Sequence, residues 1–199
     1  MTTILNHGTE RVLRLFYGAP EELHLREIAR KTGLYGQSIT RYLNQLEKDN
    51  ILNSRKDANL RKYSLRKNKK VFSILAFFDV ERFEKLPFAR KNALKHYFSK
   101  LEQKPVFAIL FGSTAKETFK DNSDIDLLLV TNRKLSTKEA EKEASALTAM
   151  KVSTFQITYA HFIQEIKLKS DPVVQSAIFS GYPIYNHIAY YEELNYERV

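Results

Sequence analysis

Apolar residues recur at two different periods along this chain, and the changes of period mark out its elements. Over residues 10–17 the apolar set Val12, Leu13, Leu15 and Phe16 follows helical spacing. Ile28 and Ala29 do the same within 25–31, and Ile39, Leu43 and Leu46 within 37–48, with Thr32-Gly33-Leu34 as the intervening turn. Two short segments, 51–55 and 61–65, flank a polar, basic tip and predict a β-hairpin. Residues 71–88 are rich in phenylalanine (Phe72, Phe77, Phe78, Phe83 and Phe88) and form a joint suited to domain packing or a dimer seam. Pro87 interrupts that run, and a helix over 89–101 places Ala93, Leu94, Tyr97, Phe98 and Leu101 inward. Apolar strands then follow at 107–111 and 124–130, a helix at 137–150 and a strand at 152–159. The expected class is α+β.

Charge divides the chain unevenly. Residues 1–70 hold 15 Lys/Arg against 7 Asp/Glu, whereas the remainder hold 17 against 16. An excess of positive charge confined to one segment points to an anionic partner for that segment. Three helices and a basic hairpin make the winged helix-turn-helix plan, in which the third helix enters the major groove. The outer surface of that helix carries Gln37, Ser38, Thr40, Arg41, Asn44 and Lys48, and the hairpin carries Arg55, Lys56, Arg61 and Lys62. Gln and Asn can bond adenine bidentately, and Arg can bond guanine or a phosphate. Residues 8–68 resemble the winged-helix transcription regulators: 38–48 followed by Asp49-Asn50-Ile51-Leu52 matches their reading helix, turn and first wing strand. Double-stranded DNA is therefore the expected partner of 1–70, and a homodimer would let two copies span two half-sites. A protein-docking use of the same module is the plainer alternative.

The strongest chemical signal lies at Gly112-Ser113, followed after ten residues by Asp124-Ile125-Asp126. Strand side chains alternate, so Asp124 and Asp126 share a face with stems about 6 to 7 Å apart, close enough to converge on one hard cation such as Mg²⁺ or Mn²⁺. Gly112 lets a phosphate approach the backbone, Ser113 can donate to it, and Lys116 can add a point charge. A short helix over 114–119 would aim its positive end at the same place.

This arrangement resembles the DNA polymerase β nucleotidyltransferase superfamily, most closely its minimal members, over residues 89–187. Lys116 stands where Arg is usual in that pattern, and Glu117 where Gly is usual. The resemblance implies a small mixed sheet, closing helices and an edge strand over 162–185, and NMP transfer from an NTP (ATP first) to a hydroxyl of a protein or small molecule. It implies Asp124 and Asp126 as catalytic metal ligands, with Gly112, Ser113 and Lys116 on the triphosphate. It also implies a third carboxylate on the strand at 152–159, where the position flanked by apolar residues holds Gln156. Three outcomes stay open: catalysis with two acids, nucleotide binding without turnover in a regulator, or a different strand register. A toxin partner is a further possibility that the family suggests.

The expected organisation is a winged helix-turn-helix domain over 1–70, the joint over 71–88 and a nucleotidyltransferase domain over 89–199. The absence of cysteine excludes disulfides, a thiolate nucleophile and Cys-ligated zinc. No apolar run reaches the length of a membrane span, so no membrane association and a cytoplasmic location are expected.

Overall fold

The computed structural model describes residues 6–18 and 22–196. The chain divides between Phe78 and Asp79 into two compact units.

In the first unit, α1 (His7–Gly18), α2 (Leu25–Thr32) and α3 (Gln37–Lys48) accompany a three-stranded antiparallel sheet. Its order is β1 (Leu23–His24), β3 (Leu60–Leu65), β2 (Leu52–Asp57). The predicted apolar stripes are the buried ones: Val12, Leu13, Phe16, Ile28, Ile39, Leu43 and Leu46 all lie at or near zero exposure. Gly33 closes α2 in the left-handed conformation (φ 65, ψ 22), which glycine adopts without a Cβ penalty. The hairpin pairs Arg55 with Lys62 and Lys56 with Arg61. β1 has no counterpart in the sequence pattern, because two residues are too few to display alternation.

Residues 71–88 are largely one helix, α4 (Lys69–Lys85), and the division between the units falls within it. Phe78, the last residue of the first unit, stands edge-on to Tyr17 with the Arg14 guanidinium 4.5 Å from its ring centroid.

The second unit is built on a mixed sheet of order β6-β5-β4-β7: β6 (Val152–Thr158), β5 (Ile125–Thr131), β4 (Phe107–Phe111) and β7 (Tyr182–Tyr185). β5 and β6 run parallel, joined across α7 (Lys138–Thr148), whereas β4 is antiparallel to both β5 and β7. Alternation sorts the side chains between two layers. Ala108, Leu110, Ile125, Leu127 and Leu129 join Ala93, Leu94 and Tyr97 of α5 (Phe88–Lys100) and Ala140 and Ala144 of α7 in one core. On the opposite face Phe107 meets the rings of Phe162 and Tyr190, from α8 (Tyr159–Leu168) and α10 (His187–Tyr196). α9 (Pro172–Ser180) lies beside β4. The short helix expected over 114–119 is instead the single turn α6 (Gly112–Ala115), and the positive φ of Glu117 (57°) follows it. One turn has too few aligned peptides for a helix-end field of any size.

Candidate functional site

β4 ends and α6 begins at Gly112, and the register that pairs Phe111 with Asp126 brings the acid strand to the same spot. Gly112 has φ 67, and a Cβ there would overlap Asp126 Oδ2 and stand 3.0 Å from its Cγ. Only glycine satisfies both the backbone and this approach. Ser113 beside it is half-buried. Among the described residues its hydroxyl makes no hydrogen bond, while its carbonyl accepts from the Thr118 N–H at 3.0 Å. Lys116 lies exposed just past α6 and has no side-chain partner among the described residues.

The two acids differ in surroundings. Asp124, just ahead of β5, accepts from Lys151 Nζ at 2.5 Å and from Ser153 Oγ at 2.9 Å, both on Oδ2. The bond from Lys151, then that from Ser153, holds its pKa below the ordinary carboxylate value. Asp126 is partly buried, and among the described residues no donor bonds its carboxylate. Burial first, and the charge of Asp124 second, push its pKa up. A perturbed, partly buried acid of this kind marks a candidate functional position.

The loop from α6 to Asp124 is held by a buried arginine. Arg90 on α5 is 2% exposed. It donates to Thr114 Oγ1 at 2.8 Å and to the carbonyls of Lys120 and Ser123 at 3.0 Å each, with its guanidinium 4.1 Å from the centre of the Phe119 ring. Arg82 on α4 likewise donates to the Ala115 carbonyl at 2.9 Å. Neither arginine figured among the candidates. Arg90 could have been noticed, because it shares the helical stripe of Ala93, Leu94 and Tyr97 that is otherwise apolar.

Gln156 requires a correction. β6 pairs with β5 in the register Asp126↔Ser153 and Leu129↔Gln156. Gln156 therefore belongs to the sheet face opposite the acids, with its amide accepting from the Leu135 N–H at 2.9 Å and donating to the Leu135 carbonyl at 3.1 Å. It braces the entry to α7. The β6 positions sharing the face of Asp126 are Ser153, Phe155 and Ile157, none of them acidic. Among the described residues no group of three or more carboxylates or histidines is placed to hold a metal. Two carboxylates, one of them seated against Gly112, beside a serine hydroxyl without a hydrogen bond among the described residues fit one hard divalent cation with a phosphate.

In the first unit, Gln37, Ser38, Thr40, Arg41, Asn44 and Lys48 are all exposed on α3, on the side away from Ile39, Leu43 and Leu46. Gln37, Thr40, Arg41, Asn44 and Lys48 line an open groove. The wing cations are less free than their number suggests. Arg55 grips Glu22 with both Nε and Nη2, Arg61 pairs with Glu47 at 3.0 Å, and Lys62 with Asp57 at 2.5 Å. Lys56 alone of the four has no such partner among the described residues. Exposed pairs of this kind are weak, so they can be exchanged for phosphate.

No helix among the described residues is long and apolar enough to cross a membrane. Compared with known proteins, residues 92–187 match the family described as polymerase beta nucleotidyltransferase, and residues 10–55 match the IclR helix-turn-helix domain. No curated protein is matched. The glycine-serine turn, the acid pair and the reading helix all fall inside those two spans, and the chain joins an N-terminal helix-turn-helix domain to a C-terminal nucleotidyltransferase domain of the polymerase beta kind.

Proposed function

We propose that this protein binds double-stranded DNA through α3 and the wing, and that its C-terminal domain binds a nucleoside triphosphate with one divalent cation and transfers the nucleoside monophosphate to a hydroxyl. The observation that carries the second half is the seating of Asp126 directly over Gly112, with Asp124 beside it. In this scheme Asp124 and Asp126 hold the cation, while Gly112, Ser113 and Lys116 orient the phosphates. Bound Mg²⁺ or Mn²⁺ would neutralise charge on the triphosphate and on the departing pyrophosphate. The acceptor oxygen forms a bond to the α-phosphorus, and the bond from that phosphorus to the bridging oxygen breaks. The hydroxyl proton passes to solvent, because β6 offers no carboxylate on this face. The protein's part is placement and charge stabilisation.

The test is calorimetry on the full chain with Mn²⁺ and each of ATP, GTP, CTP and UTP, followed by transfer from α-labelled nucleotide. Binding by at least one triphosphate, lost in Asp124→Asn and Asp126→Asn, supports the site. Binding by none removes it. Labelled transfer to protein or small molecule establishes turnover. Binding without pyrophosphate release establishes instead a regulator that senses nucleotide, the second reading, for which the lack of a third acid speaks. A helix-turn-helix on the same chain gives either reading an address on DNA.

A further inference from the structure

The acids do not account for all the charge at this edge of the sheet. Lys151 immediately precedes β6, whose register pairs Val152 with Ile125, so Lys151 stands opposite Asp124. Its side chain is 69% exposed against 36% for Asp124, and their ion pair closes at 2.5 Å. The ammonium therefore occupies the side of Asp124 where a cation would be held, yet it is neither buried nor tied to a second carboxylate at bonding distance among the described residues. The rest of the face adds no negative charge, since Ser153, Phe155 and Ile157 follow on β6. The buried guanidinium of Arg90 donates to the carbonyl of Ser123, the residue before Asp124.

Charge arithmetic limits what this edge can take up. Two carboxylates are balanced by the Lys151 ammonium and the Arg90 guanidinium, which leaves no net negative charge, too little to hold two divalent cations side by side. One divalent cation and one polyanion suit it. An exposed ion pair is weak, and the lysine stem is long and freely rotating, so the ammonium can leave Asp124 at small cost.

Resting on the proposed triphosphate site, we infer that Lys151 is an exchangeable cation: in the free protein it neutralises Asp124, and when a single divalent cation takes that carboxylate, Lys151 turns to a phosphate oxygen. Lys151 thus competes with the metal when no nucleotide is present and assists the nucleotide once it arrives. The two effects have opposite signs. A surface ion pair without function would produce only the first.

The experiment uses the full chain, Mn²⁺, and α,β-methylene analogues of ATP, GTP, CTP and UTP, read by calorimetry and by electron paramagnetic resonance of free Mn²⁺. Wild type is expected to bind one Mn²⁺ per chain with nucleotide. Lys151→Met should bind Mn²⁺ alone about twofold to fivefold more tightly, as loss of an exposed ion pair allows. The same variant should bind the analogue about tenfold more weakly, as loss of one charge-assisted bond implies. Lys151→Arg should restore most of the nucleotide affinity. Two Mn²⁺ per chain overturn the inference, as does Lys151→Met shifting both affinities in one direction, only the first, or neither. If wild type binds both ligands and Lys151 is indifferent, the inference alone fails. If wild type binds neither, the triphosphate site fails and this inference with it.

Discussion

Arg90 and Ser123 lie on different elements, yet the Arg90 guanidinium donates to the Ser123 carbonyl at 3.0 Å, one residue ahead of Asp124. A cation from α5 thereby sets where the acid pair begins. Its three acceptors are two carbonyls and the Thr114 hydroxyl, all of which lose a charged donor if the guanidinium is removed. Arg90→Ala should destabilise the second unit by about 3 kcal/mol, through a cavity and unsatisfied buried acceptors. Arg90→Lys should recover part of this, because an ammonium cannot reach three acceptors in one plane. Urea denaturation measures both, and a loss below about 0.5 kcal/mol in the alanine variant, the level of ordinary surface substitutions, would contradict the assignment.

Gly112 and Asp126 should be energetically coupled. Gly112→Ala adds a Cβ onto the Asp126 carboxylate at a residue with φ 67, and should cost about 2 kcal/mol from backbone conformation and overlap together. In an Asp126→Ala background the overlap disappears and only the backbone cost remains, so the double-mutant cycle should show a coupling of about 1 kcal/mol. Strict additivity would mean that the two groups do not touch.

The acids should pull the pH dependence of stability in opposite directions. Asp124 has a lowered pKa, so its contribution is present above the unfolded carboxylate value and is lost as pH falls through the lower, folded value. Asp126 has a raised pKa, so its contribution is present below the unfolded value and is lost as pH rises through the higher, folded one. Asp126→Asn should therefore raise stability at neutral pH and remove the decline above the ordinary carboxylate range of about 4. It should also abolish metal binding. Thermal melts across that range decide it, and an unchanged profile would mean that Asp126 is not perturbed.

On the DNA side, Glu22 restrains Arg55. The carboxylate takes Nε at 2.7 Å and Nη2 at 2.5 Å, leaving less of that guanidinium for phosphate. Glu22→Gln should strengthen duplex binding, with the slope of log affinity against log salt steeper by up to about 1, the value for one added phosphate contact. Arg41→Ala should weaken binding instead. Fluorescence anisotropy over a salt series reads both changes, and no response to Glu22→Gln would remove Arg55 from the interface.

A local backbone strain is open to relief at the end of α7. Ala149 caps that helix with φ 55 and ψ 18, a conformation that glycine adopts more readily than alanine. Ala149→Gly should stabilise the second unit by about 0.5 to 1 kcal/mol, the left-handed penalty less the added chain entropy of glycine. Denaturant midpoints at constant slope are the measure, and destabilisation would contradict it.

Helices α1 to α3, the hairpin and the apolar strands β4 and β5 were legible in the order of residues, because their periods are properties of neighbours along the chain. So was the likeness of face that Asp124 and Asp126 share, which follows from spacing by two. The opposite assignment of Gln156 was not, since parallel pairing fixes which β6 residues stand beside the acids and a shift of one position exchanges the faces. The apolar stripe it shares marks Arg90 as inward-facing, but not what it holds, because its three acceptors lie 24 to 33 residues away. The ion pair of Lys151 with Asp124 bridges 27 residues in the same way. Local pattern is written by the rotation of the backbone from one residue to the next; the neighbours of a charge depend on which distant segments fold against it, and only the tertiary structure decides that.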